Sequence, residues 1–99
     1  MARHDVHARR GRDLLVVDCQ ANWLRELETR VVIPLLPADG SEAGSSRLHP
    51  IVTVNDERFL LGTHLMTAIP ARELGPPLAS LADRSHEIVA AVDTLLTGV

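Results

Sequence analysis

The side chains able to do acid–base, nucleophilic or metal chemistry are few and dispersed. The histidines fall at His4, His7, His49, His64 and His86. Only His4 and His7 are close enough in sequence to pair on a metal, and no third ligand follows from the spacing. The single cysteine, Cys19, comes just after a short apolar run, a setting that predicts a small buried thiol and not a nucleophile. Asp56 and Glu57 adjoin in a turn, where carboxylates are ordinarily only solvated. The sequence contains no GxxxxGK[ST] phosphate loop, GxGxxG, HExxH or GxSxG elbow. Hydrolysis requires an acid, a base and an electrophile held together, and no such set is visible. These residues therefore offer no evident enzymatic centre and no metal site.

Binding chemistry is more visible. Trp23-Leu24 sits between Asn22 and Arg25-Glu26, in an expected loop. A large aromatic in a loop either packs on the core or is offered to a partner, since Trp is favoured at interface hot spots. Packing is the expected arrangement and presentation the alternative. The chain's end, Leu95-Leu96-Thr97-Gly98-Val99, has no polar tail. Chain ends ordinarily fray in solvent, so an apolar one predicts docking in the fold, in a dimer or in a target. A third apolar stretch, Thr63 to Pro70, reads as core, with a shared dimer surface as the alternative.

The elements that position these residues are mostly strands. Leu14-Leu15-Val16-Val17 and Val31-Val32-Ile33-Pro34-Leu35-Leu36 are short apolar runs. Pro34 lacks an N–H, so its strand should end, bulge or lie at an edge there. Pro50–Val54 and Arg58–Leu61 flank Asn55-Asp56-Glu57, which predicts a tight hairpin. A weak strand surrounds Val6. Arg9-Arg10-Gly11-Arg12-Asp13 is a charged turn with a glycine suited to positive φ. Asp39–Ser46 and Gly75-Pro76-Pro77 read as breaks. The period then changes: Leu81, Ile88, Val92, Leu95 and Val99 recur at helical spacing. Ser80-x-x-Asp83 resembles a capping box, Asp83 and Ser85 are alternative caps, and Gly98 reads as the stop. The fold class expected is mainly β with a C-terminal α-helix: a small barrel or curled antiparallel sheet.

Ninety-nine residues predict one domain, 1–99. With 45% hydrophobic and 23% charged residues the composition is globular. A chain this short buries a modest share of its surface, so dimerisation would hide more apolar area. The net charge of −3 and an aromatic content of 2% weigh against nucleic-acid binding, which favours a basic face and stacking rings. No apolar run approaches the roughly 20 residues that span a bilayer, and residues 1–17 lack a signal peptide's apolar core. The expected compartment is the cytoplasm, without membrane association.

Taken together, these residues resemble the CcdB family, the toxins of CcdA–CcdB toxin–antitoxin modules. Leu15-Val16-Val17-Asp18-Cys19-Gln20 resembles that family's early strand, ending Val-Asp-x-Gln. Thr29 to Leu35 resembles its Arg-x-Val-Ile-Pro-Leu segment. Leu48-His49-Pro50-Ile51-Val52 matches Leu-x-Pro-x-Val, Asn55-Asp56-Glu57 matches a Gly-Asp-Glu turn, and Ala68-Ile69-Pro70 matches an apolar-Pro step. Leu81 to Val99 matches the terminal helix, which in the family ends aromatic-Gly-Ile. The matches run in order over nearly the whole length.

The resemblance implies an SH3-like barrel of the kind CcdB shares with MazF, an antiparallel sheet plus a small extra sheet, assembled as a homodimer. It implies a toxin that binds the DNA gyrase A subunit and traps gyrase on cleaved DNA, without a cofactor and without catalysing anything itself, so that no enzyme is expected. It further implies neutralisation by a CcdA-like antitoxin and joint repression of their operon. By position, the gyrase-binding residues implied are Trp23, Leu24, Asp93, Thr97, Gly98 and Val99. Thr97 stands where the family carries Trp, and Trp23-Leu24 stand where Ile-Ile is typical. Antitoxin contacts fall on the Arg9–Asp13 and Asp39–Arg47 loops, with Arg9, Arg10, Arg12 and Arg47, and the basic first loop suits an acidic disordered partner. Two other readings compete. One is a non-poisonous CcdB-fold binding module, motivated by Thr97. The other is a MazF-type endoribonuclease, for which the acidic balance is ill suited.

Overall fold

The computed structural model describes residues 2–38 and 46–98. Seven strands come first: β1 (Asp5–Arg9), β2 (Leu15–Asp18), β3 (Thr29–Pro37), β4 (Ile51–Val54), β5 (Glu57–Leu61), β6 (Thr67–Pro70) and β7 (Leu74–Ser80). One helix, α1 (Ser85–Thr97), follows. All pairings are antiparallel, in the order β4-β5-β3-β2-β1-β7, and β6 forks off β3. The strands form a half-barrel closed by the helix, as expected. β6 pairs with β3 as a branch of the same seven-stranded sheet.

Local chemistry explains most of the turns. The β4–β5 hairpin turns on Asn55 and Asp56, whose φ angles are +50° and +68°. Two consecutive positive φ values make the two-residue turn whose twist matches the flanking strands, and Asn and Asp tolerate it best after Gly. Gly11, at φ +77°, turns β1 into β2.

Pro34 neither ends nor bulges β3. Its partner on one side is Val16 of β2. On its other side β6 pairs only as far as Val32 and β5 begins at Leu35. The Pro34 carbonyl accepts the Gly62 N–H at 2.9 Å on that outer side. Backbone N–H and C=O of one strand residue point the same way, so the missing donor falls in the changeover and costs no β2 bond.

Two expectations about boundaries are corrected. Gly75-Pro76-Pro77 is not a break but lies inside β7. Among the described residues that strand is an edge, bonded to β1 alone and with two register shifts along the pairing. Edge strands accommodate proline because one row of donors needs no partner. The capping box at Ser80 does not start the helix. Ser80 is the last residue of β7, Leu81 leaves helical geometry at ψ +26° to bury its side chain, and a 3-10 turn at Ala82–Arg84 intervenes. Gly98 does stop the helix: it is left-handed at φ +74° and its N–H bonds the Thr94 carbonyl.

The sheet buries side chains on both faces. The larger core joins Val6, Val17, Ile33, Leu35, Phe59 and Leu61 of the sheet to Ile88 and Ala91 of α1. A smaller core holds Val16, Val32, Ile69 and Leu74. Successive strand residues point to opposite faces, so Val16 and Val17 enter different cores, which is why β2 is apolar throughout.

Candidate functional site

Between β2 and β3 the chain makes a 3-10 turn, Asn22–Leu24, none of whose residues is buried. Trp23 at its tip is 81% exposed. Packing of the indole on the core, the expected arrangement, is therefore corrected. The turn is held by hydrogen bonds and by half-buried Leu24, which leaves the indole outside.

Those hydrogen bonds start from a polar cluster buried at the end of β2. Asp18 and Arg30 are fully buried and paired, with Asp18 Oδ2 accepting from Arg30 Nη2 at 2.6 Å and from Nε at 3.0 Å. They reach each other because β2 and β3 place Asp18 opposite Val32, whose face Arg30 shares by the period of two. Asp18 Oδ1 accepts the Gln20 backbone N–H at 3.0 Å. The Gln20 side chain is bonded at both ends. Its Oε1 accepts the Val31 N–H at 3.1 Å, and its Nε2 donates to the Leu24 carbonyl at 2.9 Å. From the opposite side Asn22 Oδ1 accepts the Arg3 N–H at 2.7 Å. Sequence reasoning gave Asp18, Gln20 and Arg30 no functional role. They were visible as the polar positions of two matched segments, and the link between those segments is tertiary.

Beside the turn runs a groove of about 530 Å³ whose walls include Leu24, Leu27, Met66, Val92, Asp93 and Leu96. The structure thus brings Leu24 and Asp93 to one groove. Asp93, Leu96, Thr97 and Gly98 are exposed, and Leu95 is 36% exposed. As far as Gly98, the apolar helix end is accordingly not buried within its own fold. The Thr97 hydroxyl donates to the Asp93 carbonyl at 2.6 Å. Val99 lies outside the described residues.

The arginines divide into two groups. Arg9 Nε donates to Glu73 Oε1 at 2.8 Å, and the Arg10 N–H bonds the Glu73 carbonyl. Arg10 and Arg12 have exposed side chains, and Arg12 rims a hollow of about 440 Å³ with Leu14, Pro37 and Phe59. Arg47 is elsewhere, in shallow hollows beside α1 with Glu87, Ala90 and Asp93. Residues 39–45 of the expected loop lie outside the described residues.

The remaining chemistry-bearing groups are structural in setting. His4 is buried, its Nδ1 bonded to Ser85 Oγ at 2.8 Å, while His7 Nδ1 bonds the Gly75 carbonyl at 2.8 Å. Burial, reinforced by Arg3 and opposed by Asp18, holds the His4 pKa below its ordinary value of 6.5. Burial, then the Asp18 charge, pushes the Cys19 thiol up to about 12, which suits the expected inert thiol. Two histidines that sequence reasoning left scattered meet: His49 Nε2 and His64 Nδ1 lie 2.8 Å apart on the surface. Among the described residues no group of three or more His, Cys, Asp or Glu converges as a metal site. No helix among them is long and apolar enough to cross a membrane.

A family model, that of the CcdB protein, matches residues 3–98. The chain belongs to the CcdB family. It is a CcdB-type toxin or a protein of the CcdB fold, and that family is one of gyrase-binding toxins, not of catalysts.

Proposed function

We propose that the chain is the toxin of a type II toxin–antitoxin module, binding the DNA gyrase A subunit and trapping gyrase on cleaved DNA. The observation that carries the proposal is the exposed indole of Trp23, held on a hydrogen-bonded turn beside an apolar groove in a CcdB-family chain. Trp23 and Leu24 supply the apolar contact, and Asp93, Thr97, Gly98 and Val99 complete it from the helix end. Trp23 takes over the stacking role that the family assigns to the position of Thr97. Exposed Leu27, Leu65 and Leu96 support a homodimer, since solvent-facing leucines on so small a fold gain from a second copy. Arg9, Arg10, Arg12 and Arg47 receive a CcdA-like antitoxin of acidic character, with which the toxin represses its operon. No cofactor takes part, and the site of action is the cytoplasm.

The test is arrest of growth on expression, lifted by co-expression of a CcdA-like antitoxin and by a gyrase A subunit altered at its toxin-binding surface. Arrest that persists with such a gyrase, accompanied by cleavage of mRNA, would replace the proposal with a ribonuclease.

A second reading, a CcdB-fold module that binds antitoxin without poisoning gyrase, is favoured by one observation. The Thr97 hydroxyl is turned back onto its own helix and offers no ring. Thr97→Trp separates the two. Equal poisoning by both forms supports the first reading; poisoning by the variant alone supports the second.

A further inference from the structure

The turn that carries Trp23 has little apolar anchorage, for Asn22 and Trp23 are exposed and only Leu24 is half-buried. Its internal bonds, Leu24 N–H to the Ala21 carbonyl, Arg25 N–H to the Asn22 carbonyl and Leu27 N–H to the Leu24 carbonyl, give it shape but do not attach it to the body. The bonds that attach it come from the Asn22–Arg3 contact and from Gln20. Gln20 is itself fixed. Its N–H is held by the carboxylate of a buried ion pair, and its side-chain oxygen by the β3 backbone. A primary amide is the natural choice here, since one end accepts from Val31 while the other donates to Leu24.

Resting on the proposed gyrase contact, we infer that Gln20 is a positioning residue for it. Gln20 borders the groove but is almost wholly buried, and it acts through the turn: it clamps the Leu24 carbonyl to β3, and so fixes the direction in which Trp23 and Leu24 are offered. A binding surface set before contact loses less ordering entropy on association, so the clamp raises affinity through a residue that is 7% exposed.

Gln20→Glu tests the clamp. It preserves length and the acceptor for Val31 but sets a carboxylate oxygen against the Leu24 carbonyl. Trp23 is the chain's only tryptophan, so the time-resolved fluorescence anisotropy of the purified protein reports the turn without gyrase present. The expected result is a fall in residual anisotropy and faster amide exchange at Leu24 and Arg25, with exchange in β2 and β3 unchanged. Affinity for an isolated gyrase A fragment should weaken about tenfold, the order set by one lost hydrogen bond. Gln20→Met, which removes both bonds without adding charge, is measured beside it. Unchanged anisotropy in a folded variant overturns the inference, and so does global unfolding of both variants. Lower anisotropy in a chain whose unaltered form never binds the gyrase fragment supports the clamp and counts against the proposed function instead.

Discussion

Replacing Trp23 by alanine should separate binding from folding. The indole is 81% exposed and lies in neither core cluster. Its truncation should therefore change unfolding free energy by no more than about 0.5 kcal/mol, as for most surface substitutions. At an interface the sum is different. A tryptophan side chain buries on the order of 200 Å², and four-fifths of that, about 160 Å², faces solvent in the free chain. At about 25 cal/mol per Å² its complete burial is worth about 4 kcal/mol. Truncation rarely forfeits the whole, so a loss of about 2–3 kcal/mol is expected, or roughly 30- to 150-fold in Kd. Isothermal titration against a gyrase A fragment measures the affinity, and urea denaturation the stability. Unchanged affinity in a stable variant would refute the reasoning, because the exposed indole would then have no part in the contact. A loss of several kcal/mol of stability would refute its premise that the ring lies outside the fold.

Other consequences follow from the buried polar groups. Asp18→Asn should destabilise the fold by about 3–5 kcal/mol, since it leaves the buried Arg30 guanidinium without a counter-charge; Arg30 Nη1 already has no hydrogen-bond partner among the described residues. Urea denaturation of Asp18→Asn, Arg30→Met and the double variant should show the double costing well below the sum of the singles. His4 carries a pH signature. Its folded pKa lies below its ordinary 6.5, so the unfolded chain takes up the proton first as pH falls. Stability from this group is complete above about pH 6.5 and declines below it. His49, also shifted downward by burial and then by His64, acts in the same direction. Thermal melts between pH 8 and pH 5 should show this decline, reduced but not abolished in His4→Gln. A thiol reagent at pH 8 should leave Cys19 unmodified in the folded chain and label it readily in urea, given a thiol pKa of about 12.

The parts of the fold legible in the sequence are those set by short-range chemistry. Asn55-Asp56 turns because both residues accept positive φ, and Gly98 ends α1 for the same reason. Strand period and helical spacing separated β from α because those patterns reflect which face is buried. The failures share a different origin. Gly75-Pro76-Pro77 reads as a break locally, and only its place on a sheet edge lets it extend as β7. Pro34 reads as an end, a bulge or an edge position, and it is the tertiary hand-over from β6 to β5 that decides for the edge and leaves its missing donor uncontested. Trp23 reads as core by residue type, and its exposure follows from the tethers beside it. The Asp18–Arg30–Gln20 cluster was hidden because it is created by register. Neither motif alone indicates that the carboxylate of one will meet the guanidinium of the other, or that Gln20 will bridge β3 to the next turn.

The most direct test of the account is gyrase-dependent cleavage of supercoiled plasmid. Purified protein, gyrase and ATP should yield linear DNA once the complexes are opened with detergent and protease. No linear DNA should form without gyrase, and much less should form with Trp23→Ala. Intact plasmid at a large excess of folded protein would contradict the account.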